Sequence, residues 1–179
     1  MKAVLDACVL YPSVLREILI GVAGQGLYSP LWSARILGEW QRATVKLGPE
    51  AAAIAAGEIA SLRAAWPEAE IPPNAELEAR LWLPDPADTH VLTTAITGGA
   101  DRIITLNLRD FPQRCLAPEN LQAQSPDDFL MDLWLGNSNP VETVLRAVQA
   151  RTETLSGRNQ PLRALLKRAR LPRLGKAVG

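Results

Sequence analysis

The run Asp85–Pro112, DPADTHVLTTAITGGADRIITLNLRDFP, decides how the rest of the chain is read. It opens on Asp85-Pro86, a turn that stops whatever precedes it, because a residue before proline is pushed out of the helical region. Asp88 occupies a helix N-cap position, and Val91, Leu92, Ala95 and Ile96 follow at the spacing of one helical face. Gly98-Gly99 closes that helix, and Arg102-Ile103-Ile104-Thr105 reads as a short buried strand. Thr105, Asn107 and Asp110 then lead into Phe111-Pro112. The order helix, strand, loop sets carboxylates at a helix N-terminus and just past the C-terminal end of a strand. In open parallel sheets ligands collect at such ends. Either acid alone is ordinary capping or turn chemistry.

Working outward, Lys2–Leu5 is an apolar run of the kind a central parallel strand shows, and it too ends on an aspartate, Asp6. After the break at Tyr11-Pro12-Ser13, a helix carries Val14, Leu15, Ile18, Leu19 and Val22 on one face and ends at Gly24-Gln25-Gly26. Ser33 caps the next helix, whose stripe is Ile36, Leu37, Trp40, Thr44 and Leu47. Glu39 lies about 100° from the centre of that stripe, at the boundary of core and solvent. There it suits a cleft, or a surface pair with Arg42.

Pro49 starts an Ala-rich helix running to Trp66. Ala69-Glu70-Ile71 reads as a weak second strand, and residues 74–84 stay open between helix and a strand at Leu81–Leu83. Leu121–Ala123 is a candidate edge strand. Ser125-Pro126-Asp127-Asp128 starts a helix, with both aspartates assigned to capping. Further helices are expected over Pro140–Leu155 and Pro161–Arg170. Helices alternating with short apolar strands argue an α/β class, a three-layer α/β/α domain with a short central parallel sheet and C-terminal helices. The expected division is residues 1–136 as the domain and 137–179 as a helical extension on or beside it.

At 179 residues with 47% apolar content, the chain is long enough for one well-filled core. Its two cysteines, Cys8 and Cys115, make neither a disulfide framework nor a metal-ligand pair. The first residues enter a strand directly, without a leader pattern, and no apolar run is long enough to span a bilayer. A cytoplasmic protein with no membrane association is expected. Net charge is zero, 19 basic against 19 acidic, yet unevenly spread. From Arg151 to Gly179 eight basic residues face one acid, Glu153, which leaves 11 basic and 18 acidic for the remainder. Such a tail is a solvated helix face, a phosphate-tracking surface or a docking segment for an acidic partner.

Four pieces, VLDACVLYP at the start, WSARILGEWQR around Glu39, DPADTHVLTTAI and IITLNLRDF, stand in an order that resembles PIN-domain proteins of the VapC-like toxin class of ribonucleases. The resemblance implies a ribonuclease that hydrolyses RNA phosphodiesters at an acidic site holding Mg²⁺ or Mn²⁺. It makes Asp6, Glu39, Asp88 and Asp110 the catalytic and metal-binding acids. Asn107 would orient water, substrate or a ligand, and Thr105 would fix the loop. It further implies a homodimer inhibited by a small antitoxin protein. A PIN-like scaffold that binds RNA or protein without cutting is the alternative reading.

The chemistry suits those residue types. Phosphodiester hydrolysis near neutral pH needs an activated water and positive charge on the phosphate, and a hard divalent ion held by oxygen ligands supplies both. Carboxylates gathered without basic partners repel one another and raise the proton affinity of at least one. Where many PIN proteins carry Ser, Thr or Asn two residues past the first aspartate, this chain has Cys8, a weak donor and a poor partner for a hard ion. That residue also argues against a haloacid-dehalogenase-like D-x-D phosphatase, which needs a second acid there. His90, with no partner histidine, reads as packing or cleft lining. The five tryptophans read as core or interface anchors.

Overall fold

The computed structural model describes residues 1–179. In chain order its elements are β1 (Lys2–Leu5), α1 (Ala7–Leu10), α2 (Ser13–Gly24), β2 (Ser29–Leu31), α3 (Ala34–Val45), α4 (Pro49–Ala65), α5 (Ala75–Glu78), α6 (Thr89–Gly98), β3 (Arg102–Ile104), α7 (Gln113–Leu116), β4 (Gln122–Gln124), α8 (Pro126–Gly136), α9 (Ser138–Ser156), α10 (Leu162–Arg168) and α11 (Pro172–Val178). The four strands form one parallel sheet in the order β2-β1-β3-β4. Parallel crossovers are right-handed, and the chain leaves β1 toward β2 before returning past it to β3. Those opposite directions put α2 on one face and α6, which packs on β1, β2 and β3, on the other, giving the three layers expected; α3 packs against α1, and α4 against α3. β1 is the centre: Ala3, Val4 and Leu5 are fully buried, as are Ile103 and Ile104 of β3.

The sequence misplaces the second strand. The run Ala69–Ile71 makes a single bridge to Trp32, while the paired strand is Ser29–Leu31. Pro30 hides it: proline removes a ladder donor and reads as a break, but an edge strand tolerates it on its open side. Within 74–84 there is one short helix, α5, and no strand at Leu81–Leu83. The edge strand falls one residue later than expected, at Gln122–Gln124. Gly99 ends α6 in the left-handed region at φ 62°, as the Gly-Gly pair implies. Gly98 is needed for a second reason, since a Cβ there would stand 2.8 Å from the Leu31 side chain.

One apolar cluster runs through the chain from Ala3 to Leu174. α9 lies on α2, with Val144 against Gly21, and its Val141, Leu145 and Val148 are buried. α10 and α11 form a closing pair. α11 is fastened to α8 by Asp127, whose buried carboxylate accepts from Arg173 N at 2.9 Å and Leu174 N at 3.0 Å. Asp127 therefore caps a helix 45 residues downstream, not its own. The cap of α8 is Ser125, which accepts from Asp128 N and donates to the Asp128 carboxylate. No helix is long and apolar enough to cross a membrane.

Candidate active site

β1 and β3 are neighbours, and the chain runs away from them in opposite directions across the sheet. That is a topological switch point, where the crevice beyond the strand ends opens. Asp6 follows β1 directly, and Thr105 follows β3. Asp6 N donates to Ile104 O at 3.1 Å, stitching the two ends together. The Asp6 carboxylate is buried and held from several sides. Oδ1 accepts from Ala7 N at 2.7 Å, and Oδ2 accepts from the Thr105 hydroxyl at 2.8 Å and the Cys8 thiol at 3.3 Å. Asn107 N in turn donates to Thr105 Oγ1 at 3.1 Å. Thr105 thus fixes both the loop and the first aspartate, more than the sequence suggests.

Asp88 is the electrostatic focus. Its carboxyl is raised from 3.8 to about 6, first by burial, then by the negative charges of Asp6, Asp85, Asp110 and Glu39. Five carboxylates from four separate chain segments thus share one field. Asp88 makes no side-chain cap bond, contrary to the capping role the sequence suggests. Asp85 takes that work, accepting from Ala87 N at 2.9 Å at the head of the single 3₁₀ turn Pro86–Asp88. The Asp88 carboxyl is therefore left for the crevice.

Glu39 sits on α3, three residues past Ile36, where Ser33 caps the helix by accepting from Ile36 N at 3.1 Å. Its partner is not Arg42 but His90: Glu39 Oε1 lies 2.7 Å from His90 Nε2. The oxygen is off the line of a ring N–H, and neither nitrogen of this buried histidine has a hydrogen-bond partner. Sequence reasoning sets His90 aside. The one signal is its place two residues after Asp88, but a lone histidine carries no mark that the facing residue is an acid. Asp110 ends a short turn and faces Arg109 at 3.8 Å, the latter almost wholly in solvent.

The donor set fits a hard divalent cation: carboxylate oxygens in an uncompensated negative field, beside a buried histidine with orphaned nitrogens. No three acidic, histidine or cysteine side chains stand together as a ready-made ligand cage. The Cys8 thiol is pushed up to about 12, chiefly by burial and then by Asp6, and stays neutral. It also accepts from Leu106 N at 3.3 Å, so it fastens β1 to the β3 loop. A cavity of about 640 Å³ lies elsewhere, between α2, α4 and α9, lined by Arg16, Glu58, Trp66 and Val148.

Among known proteins, VapC50 of Mycobacterium tuberculosis, by its name a candidate ribonuclease, is 47% identical over 45 residues. That segment is 25% of this chain and 27% of VapC50, so the likeness spans about a quarter of either protein. No solved structure matches. The PIN domain family matches over residues 2–109, which takes in Asp6, Glu39, Asp88, Thr105 and Asn107 and stops one residue short of Asp110. With its parallel four-stranded sheet and more than half its length inside that match, the chain belongs to the PIN domain family.

Proposed function

We propose that the protein is a divalent-metal-dependent ribonuclease that hydrolyses RNA phosphodiester bonds at the acidic crevice. The observation that carries this reading is the meeting of Asp6, Glu39, Asp88 and Asp110, with Asp85, beyond the C-terminal ends of β1 and β3, close enough that their charges together raise the Asp88 carboxyl. Asp6, Glu39, Asp88 and Asp110 would hold Mg²⁺ or Mn²⁺. When bound, the ion activates water and balances charge on the phosphate. Thr105 and Ala7 N hold Asp6 in one orientation, and the carboxamide of Asn107, on the same loop, orients water or substrate. With a cation held there, the Asp88 carboxyl would be ionised and serve as a ligand. Residues 1–136 make the nuclease unit and 137–179 flank it. The family likeness supports a toxin of a toxin–antitoxin pair, a homodimer in the cytoplasm whose small antitoxin reaches into the crevice.

Purified protein is expected to cleave single-stranded RNA with Mn²⁺, to stop with EDTA, and to fall silent as Asp6→Asn. The alternative is a non-cleaving PIN-like scaffold that binds RNA or protein. RNA binding without cleavage under every divalent ion would decide for it.

A further inference from the structure

We propose that the exposed cations of α10 and α11 hold the phosphate backbone of the RNA that enters the acidic crevice. The identity of the polyanion rests on the nuclease reading; the surface itself rests on separate observations. Arg163, Lys167, Arg168, Arg170 and Lys176 are all exposed, and none faces a carboxylate. Of the tail's cations, Arg151 and Arg173 have acidic partners, Glu17 and Asp128. Arg170 sits at φ 63°, in the left-handed region between the two helices, where glycine is favoured. The chain keeps a cation at a position whose backbone does not call for one.

Place supplies the second half of the case. Asp127 and Asp128 form the first turn of α8, which leaves the C-terminal end of β4. Gln124 O accepts from Thr105 N at 3.1 Å, so that end is level with the crevice. Through Asp127, α11 begins at the same sheet edge as Asp6 and Thr105. β4 is two strands from β1, about 10 Å at ordinary strand spacing. An acidic crevice alone repels RNA. Cations on the two helices that meet at this edge would supply the attraction, and phosphate neutralisation would make it salt-dependent.

The test is anisotropy of a fluorescein-labelled single-stranded RNA 20-mer with the whole protein in EDTA, where no cleavage is required. Replacing Arg163, Lys167, Arg168, Arg170 and Lys176 with Gln is expected to weaken binding at least tenfold at 0.1 M salt. The salt slope should become shallower by about 0.7 for each phosphate no longer neutralised. Arg170→Gly is the second variant: it relieves the backbone, so melting temperature should rise while affinity falls. Unchanged affinity and slope in both variants would overturn the proposal. So would equal weakening by Lys46→Gln with Arg80→Gln, which removes cations from other surfaces. Capture of poly-glutamate but not RNA would assign the surface to an acidic protein partner and overturn it as well. A protein that binds in this way yet never cleaves with Mn²⁺ sinks the nuclease reading alone.

Discussion

Two regions of this molecule gather charge around one buried group, Arg16 or Asp6, and they do so in opposite ways. Around Arg16 each charge is answered. Its guanidinium meets Glu58, donates to the carbonyls of Leu10 and Tyr11, and lies 4.4 Å over the Trp40 ring. At the sheet edge, Asp6, Glu39, Asp85, Asp88 and Asp110 share a field that a buried histidine and an exposed arginine do not balance. A partnered buried charge holds a fold together, because removing one partner strands the other. An unpartnered cluster costs stability and marks a candidate functional site. The contrast predicts that substitutions in the two regions move different observables.

The sharpest break is Asp6→Asn. Cleavage should fall at least about 10³-fold, the scale of removing a central catalytic group. Melting temperature of the metal-free protein should hold within a few degrees, since Asn keeps an acceptor for Ala7 N. Rates from a labelled RNA and a thermal melt measure the two; near-wild-type cleavage would dissolve the distinction. Arg16→Met is the mirror image. Glu58 is 40% exposed, so the loss should be about 2–3 kcal/mol, below the value for a fully buried pair. That corresponds to a melt lowered by about 5–10 °C. Cleavage per folded molecule should be kept, and a folded but inactive Arg16→Met would count against the separation.

How much of this is legible in the residues differs between the same two regions. The strand-end aspartates and the glutamate at the edge of its helical stripe are local patterns, so Asp6, Glu39, Asp88 and Asp110 can be picked out one by one. What they share is not local: Thr105 donates to Asp6 across 99 residues, and Glu39 faces His90 across 51. The charge-matched region is less legible. Glu58 reads as one more solvated acid on an Ala-rich helix, and nothing near it points to a buried arginine on α2. Asp127 misleads for a related reason. Its sequence context is a helix start, and the helix it caps is brought to it by packing. The second strand escapes notice because its centre is Pro30, a residue that reads as a break until its edge position is known.

Asp88 allows the comparison to be sharpened by pH. Its folded carboxyl titrates near 6 against 3.8 unfolded, so the native state holds its proton more tightly. That contribution to stability is fully present below about pH 4 and is lost as pH rises through about 6. Metal-free wild type should therefore melt lower at pH 7 than at pH 5 by a few degrees, and Asp88→Asn should remove most of that difference. Adding Mn²⁺ should restore the melt at pH 7, because the cation replaces the proton. Cleavage should climb as pH passes about 6. A melt that is flat in wild type across this window would mean that Asp88 does not feel its neighbours.

The smallest effect tests whether the crevice needs its unusual thiol. Cys8 bridges the regions of order and charge: it donates to Asp6, accepts from Leu106 N, and lies 3.4 Å from Thr105 Oγ1. With a thiol near 12, the thiolate fraction at pH 8 is about 10⁻⁴, so the group acts as a neutral donor and alkylates slowly. Cys8→Ser keeps both bonding senses in a better donor with a shorter reach, and should change cleavage by no more than about threefold, within 1 kcal/mol. Cys8→Ala leaves Leu106 N without its partner and frees one side of Asp6, and should cost about 1–2 kcal/mol in the melt. If serine lowers cleavage as far as alanine does, the role of Cys8 is its size, not its hydrogen bonds, and the orientation of Asp6 rests on Thr105 and Ala7 N.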